Sequence, residues 1–197
     1  MYLKNLLNAV DNLEAMPVEI HELADQLTLA GCQDRILFFP DAELDPAVLR
    51  GVHYKYTTRN GVYSDPMLTT LIIYAEGLSL DWQRVVCCKE LIHTCDSEVE
   101  RTNTEDEVIG LVDKLLGPLS TENFGVADIM ATKDKLALYQ ALAILFPLAA
   151  RQQAIDALGA KTRTPEEIAS WVKLPLPLVE MVLETDWPNI REWIVTL

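Results

Sequence analysis

Thr69-Thr70-Leu71-Ile72-Ile73-Tyr74, the turn Gly77-Leu78-Ser79, and then Leu80-Asp81-Trp82-Gln83-Arg84-Val85-Val86-Cys87-Cys88-Lys89-Glu90-Leu91-Ile92-His93 form the most structured stretch of this chain. The first segment is a short run of β-branched and apolar residues bounded by turn residues, which predicts a buried strand. Gly77 supplies a turn, and Ser79 is placed to cap the helix that follows, because a serine oxygen can accept from one of the unpaired N–H groups of a first turn. From Leu80 to Thr94, Trp82, Val85, Val86, Lys89, Ile92 and His93 recur at i, i+3, i+4 spacing, an inward stripe. Lys89 and His93 therefore share a helical face.

Lys89-Glu90-Leu91-Ile92-His93 differs at one residue from the His-Glu-x-x-His pattern, in which two histidines four apart grip Zn²⁺ and the glutamate between them activates the metal-bound water. Glu90 and His93 are in register. Lys89 presents a cation where the pattern needs a neutral imidazole lone pair.

Working outward, Leu3, Leu6, Leu7, Val10 and Leu13 predict a first helix, and Val18, Ile20, Leu23, Leu27 and Leu29 a second, with a break at Pro17 and a stop at Gly31. Ile36 to Phe39 and Val52 to Thr58 read as two further strands, the second closing at Asn60-Gly61. Asp96 to Asn103 is polar and reads as a loop. Thr104 with Glu107 forms a capping box for a helix through Leu116, ended by Gly117-Pro118. From Thr132 the chain is expected to be wholly helical, with stops at Pro147 and Gly159 and a new start at Thr164-Pro165. Ile168, Ala169 and Val172, a turn at Lys173-Leu174-Pro175, and then Val179, Val182 and Leu183 follow helix-turn-helix spacing.

The chain has 197 residues, half of them apolar, enough for a single buried core. Its formal charge of −14 opposes general affinity for nucleic acid or anionic lipid, which needs clustered Lys and Arg. The segment Leu176 to Glu184 carries neither residue to contact phosphate or guanine, so nucleic acid is not an expected partner and the tail is expected to pack on the main domain. No run approaches the roughly 18 apolar residues of a membrane span, and the N-terminus lacks a secretory pattern; a cytoplasmic protein without membrane partners is expected. Four cysteines, Cys32, Cys87, Cys88 and Cys95, include no Cys-x-x-Cys and read as buried free thiols. His21 and His53 have no partners nearby in sequence and read as structural or surface residues. The aromatic segment Trp187 to Trp193 reads as an anchor for the chain end.

Leu71 to Pro118 resembles the ImmA/IrrE family of zinc-peptidase-like proteins. Leu71-Ile72-Ile73-Tyr74 followed by Leu78 to Arg84 looks like that family's strand and then a helix ending in a Gln/Arg-rich turn before the motif; Lys89 to His93 stands where its metal motif lies. Glu105-Asp106-Glu107-Val108-Ile109-Gly110-Leu111-Val112-Asp113-Lys114-Leu115-Leu116-Gly117-Pro118 resembles its acidic helix ending in Leu-Leu-x-Pro. The helix-turn-helix-like tail also matches what often follows there. The resemblance implies a helix-dominated α+β fold: a zincin-like core over residues 1–130 with a small antiparallel sheet, and an all-helical part over 131–197. It implies Glu90 as the general base, His93 as a zinc ligand, and Glu107 or Glu105 as the third ligand, with Glu107 preferred. Lys89 leaves that set one short unless Cys88, Asp96 or another glutamate moves in, so no cofactor is expected, and zinc only if the site is functional.

Physically, the Lys89 ammonium can replace the metal's charge among converging carboxylates (Glu90, Glu105, Glu107), relieving the repulsion that would raise their pKa values. The expected function is a degenerate, inactive relative of these bacterial and phage peptidases that acts through a protein partner in phage or mobile-element regulation. The alternatives are an active zinc peptidase with rearranged ligands cleaving a regulatory protein, and a non-enzymatic transcription-associated module.

Overall fold

The computed structural model describes residues 2–59, 61, 65–94 and 126–196. Two helices, α1 (Tyr2–Val10) and α2 (Ile20–Leu29), lead into strands β1 (Arg35–Asp41), β2 (Gly51–Thr58) and β3 (Met67–Ala75). Helix α3 (Leu80–His93) carries the motif, and after residues 95–125 come α4 (Val126–Leu145), α5 (Leu148–Gly159), α6 (Pro165–Val172), α7 (Leu176–Leu183) and α8 (Trp187–Thr196). The class is α+β and helix-rich. Helix α4 runs through the division expected at residue 130, and one buried core extends from Leu6 to Ile194. Among the described residues no helix is long and apolar enough to cross a membrane.

The sheet corrects the expected antiparallel arrangement. Its order is β1-β3-β2: β2 pairs with β3 antiparallel, Gly51 opposite Tyr74 and Thr58 opposite Met67, whereas β1 pairs with β3 in parallel, Arg35 opposite Thr69 and Asp41 opposite Ala75. The chain reverses twice between β1 and β3, so the two run the same way, and β3 inserts between its predecessors instead of adding at an edge. The reason is apolarity. Leu71-Ile72-Ile73-Tyr74 is the strand best suited to the centre, where both backbone edges are paired, while Pro40, which cannot donate to a ladder, sits on edge strand β1.

Strand alternation gives the sheet two different faces. Gly51, His53 and Lys55 of β2 lie on the side of Thr70 and Ile72, and this side meets α3. Contact is close enough that a Cβ on Gly51 would come 2.3 Å from Val86 Cγ1 and 3.1 Å from the Ile73 carbonyl oxygen. Helix α3 is thereby wedged between the sheet and α4, and its second half is buried beyond a single stripe: Val85 to Cys88 and Glu90 to His93 are all buried. The Ser79 hydroxyl caps it by accepting from Trp82 N–H.

The remaining helices close the core with Leu6, Leu7 and Val10 of α1, Leu23 and Leu27 of α2, and Leu142 and Leu145 of α4. Helix α1 stops at Val10, which leaves Leu13 outside it and partly exposed. The helix-turn-helix-like pair α6–α7 buries Ile168, Val172, Val179 and Val182 in the same core. Thr164 and Glu167 form a full capping box at the start of α6, and Lys173 takes the left-handed conformation (φ 52°) that ends it. Arg151 of α5 donates from Nε to the Val182 carbonyl (2.7 Å) and from Nη2 to that of Glu184 (2.8 Å), satisfying the C-terminus of α7.

Gly51→Ala should overpack the β2–α3 contact and cost about 1–3 kcal/mol. The urea midpoint measures this, and an unchanged midpoint would mean that the two elements are not in close contact.

Candidate functional site

Three elements bring five polar side chains together beneath the sheet. Strand β2 supplies His53, α3 supplies Lys89, Glu90 and His93, and α4 supplies Asp134. The Lys89 ammonium lies 2.8 Å from Glu90 Oε1 and is in direct contact with the Asp134 carboxylate. Adjacent helix residues diverge by about 100°, so the length of the lysine side chain is what lets its ammonium reach Glu90. On its other oxygen Glu90 meets His53 Nδ1 at 3.1 Å. His93 Nε2 stands 3.7 Å from Asp134, and the His53 and His93 rings stack at 5.3 Å with 15° between their planes.

Glu90 is only 3% exposed. Burial pushes its pKa up, but the Lys89 ammonium, the His53 hydrogen bond and the nearby His93 together outweigh burial and hold the carboxyl well below its usual range. Asp134 behaves likewise: burial works upward, and His93 and Lys89 pull it down. Lys89 shows the complementary effect, with burial disfavouring its charge and Glu90 and Asp134 more than restoring it, so its pKa is raised. The cluster is therefore an ionised carboxylate–ammonium–carboxylate chain. An ionised Glu90 requires a proton on the His53 nitrogen facing it, which for a neutral ring leaves Nε2 as a bare lone pair; that atom is buried without a hydrogen-bond partner.

A second group braces the end of α3. Lys55 Nζ lies 2.5 Å from Asp34 and donates to the Thr94 carbonyl at 3.1 Å, while the Thr70 hydroxyl donates to Asp34 at 2.8 Å. A cation over the last carbonyls of a helix is electrostatically favourable.

The expected site residues are only partly gathered here. Glu90 and His93 belong to the cluster; Glu105, Glu107, Asp96 and Cys95 lie outside the described residues, as does the capping box at Thr104. Cys88 is fully exposed to the apolar core and to no solvent, and burial raises its thiol pKa; Cys87 is pushed up to about 12, mainly by burial. Neither is a poised thiolate. Sequence reasoning missed Asp134 and His53. Asp134 lies 45 residues from Lys89 on another helix, and His53 is recognisable only once the register places it on the face turned to α3.

The residues around Lys89 do not fit a divalent ion. An ammonium already stands between the two carboxylates: Glu90 Oε1 is ion-paired with Lys89 at 2.8 Å without an aligned hydrogen bond, and its other oxygen meets His53. Among the described residues no three His, Cys, Asp or Glu side chains are arranged to hold a metal. As a hydrolytic base, Glu90 would also need access to a water and a substrate, which its burial denies in this state. Comparison of the chain with protein-family models, curated proteins and solved structures finds no match.

Removing the cation leaves buried Glu90 and part-buried Asp134 with only their histidine partners, so Lys89→Met should cost about 3 kcal/mol near neutral pH. The pH profile carries a sign. With Glu90 and Asp134 depressed below their unfolded values of about 4, their contribution is full above about pH 5 and falls away as pH drops through and below 4. Lys89, raised, contributes fully below its unfolded value of about 10 and loses this only in stronger alkali. In Lys89→Met the His53 and His93 contacts remain but the ammonium that lowers both carboxylates is gone, so both rise toward their unfolded values and the acid limb should flatten. Urea midpoints from pH 3 to 9 distinguish the profiles; parallel curves for parent and variant would refute the assignment.

Proposed function

We propose that this chain is a degenerate zinc-peptidase-like protein of the ImmA/IrrE type, in which the Lys89 ammonium takes the place of a metal ion, and that it acts through contacts with a protein partner instead of by hydrolysis. The supporting observation is the position of Lys89, between Glu90 on its own helix and Asp134 on α4. A lysine outside such a cluster would leave the role of a metal substitute without a physical basis. Here its charge answers the same need as a cation among carboxylates, and it is bound covalently to the chain. The regulatory setting, in phage or mobile-element control, is carried by the sequence resemblance alone.

An active peptidase with rearranged ligands has one observation in its favour: His53 Nε2 is buried without a partner, and its ring stacks on that of His93. Elemental analysis separates the readings. Purified protein should contain far less than one zinc per chain after exposure to excess zinc and desalting, and Lys89→His should take up more. About one zinc per parent chain, lost in His93→Ala and accompanied by chelator-sensitive cleavage, would overturn the proposal.

A further inference from the structure

The face of the sheet turned away from α3 has a composition unlike a solvated surface. By strand alternation and register it carries Leu37 and Phe39 of β1, Leu71 and Ile73 of β3, and Tyr54 and Tyr56 of β2. Phe39 is 54% exposed and Tyr54 48%; the other four are intermediate. Among the described residues, none of the six belongs to the buried core or packs against it, in contrast to Ile36, Phe38 and Tyr74 on the opposite face. The Tyr54 and Tyr56 rings stack at 5.8 Å, making a flat aromatic edge to the layer. A contiguous apolar layer of this kind marks a contact surface.

The charges on this face identify what it fits. The register places only two on it, at opposite ends of β1: Arg35, opposite Thr69, and Asp41, opposite Ala75. Along the face β1 reads cation, Leu37, Phe39, carboxylate, about 20 Å end to end at strand rise. Turned end for end, this pattern is its own complement. A two-fold axis running across the strands, level with Phe38, would set Arg35 of one copy against Asp41 of the other, twice, and lay Leu37 on Phe39 and Leu71 on Ile73. Arg35 is exposed and has no ionic partner among the described residues, so it is available for such a pair.

We infer that this sheet face is a self-association surface on which a second copy of the chain packs face to face with its β1 antiparallel to the first. Three strands about 4.8 Å apart and some seven residues long offer on the order of 400 Å² from each copy. The total, about 800 Å², is below the roughly 1,200 Å² of stable dimers, so the association is weak and reversible. The net charge of −14 on each copy opposes it at low ionic strength, but at 0.15 M salt repulsion beyond about 8 Å is screened.

Sedimentation velocity on the full chain in 0.15 M salt, from about 10 μM to 1 mM, should show a reversible monomer–dimer equilibrium. Tyr54→Glu should weaken it at least tenfold. Arg35→Glu and Asp41→Arg, each of which sets like charges together, should each weaken it at least tenfold alone, and an equimolar mixture of the two should recover association close to the parent's, with far-UV circular dichroism confirming that each is folded. A parent that stays monomeric to 1 mM overturns the inference. So does association indifferent to Tyr54→Glu, or a mixture of folded charge variants that fails to associate.

Discussion

The Lys89 ammonium, held between Glu90 and Asp134, is the interaction on which the arrangement of this protein depends. It joins the motif helix α3 to α4, and through Glu90 and His53 it reaches strand β2. Ion pairs at a surface contribute little, because water competes for both partners. Here Glu90 is taken out of water and Asp134 largely so, and the energetic question is how costly each would be without the cation. The balance is one of compensation. Replacing a whole buried ionic set by well-packed apolar residues is often neutral or stabilising, but removing one member leaves a buried charge unmet.

Much of the fold is legible in local patterns. The strands at Ile36, Val52 and Thr69, the Ser79 cap, the motif helix and the Thr164-Pro165 start all follow from propensities acting over a few residues, and the structure places an element at each. Sheet order is a different kind of quantity. It depends on which strand gains most from having neighbours on both sides, a comparison across the whole sheet; the runs around Phe38, Tyr54 and Ile72 give directions of travel without saying that β3 lies between the other two.

The site divides in the same way. Lys89, Glu90 and His93 are visible because they lie within five consecutive residues, and helical spacing already sets Lys89 and His93 on one face. The resemblance directed attention forward to Glu105 and Glu107, and the carboxylate that meets Lys89 among the described residues is Asp134, on a helix with an unremarkable sequence at that point. His53 was legible as a strand residue but not as a partner of Glu90, since its inward direction depends on the one-residue phase of β2.

Arg84 stands on α3 one turn before the polar cluster. Its Nη2 donates to the Val18 carbonyl at 2.6 Å and its Nε to the Lys173 carbonyl at 3.3 Å, so a single guanidinium bridges the entry to α2 and the turn between α6 and α7. Those carbonyls are separated by most of the polypeptide. A chain shortened past Val18 or Lys173 would therefore strip an acceptor from the same residue, and the two extremities of the molecule are bound into one cooperative unit by a fork rooted in its middle.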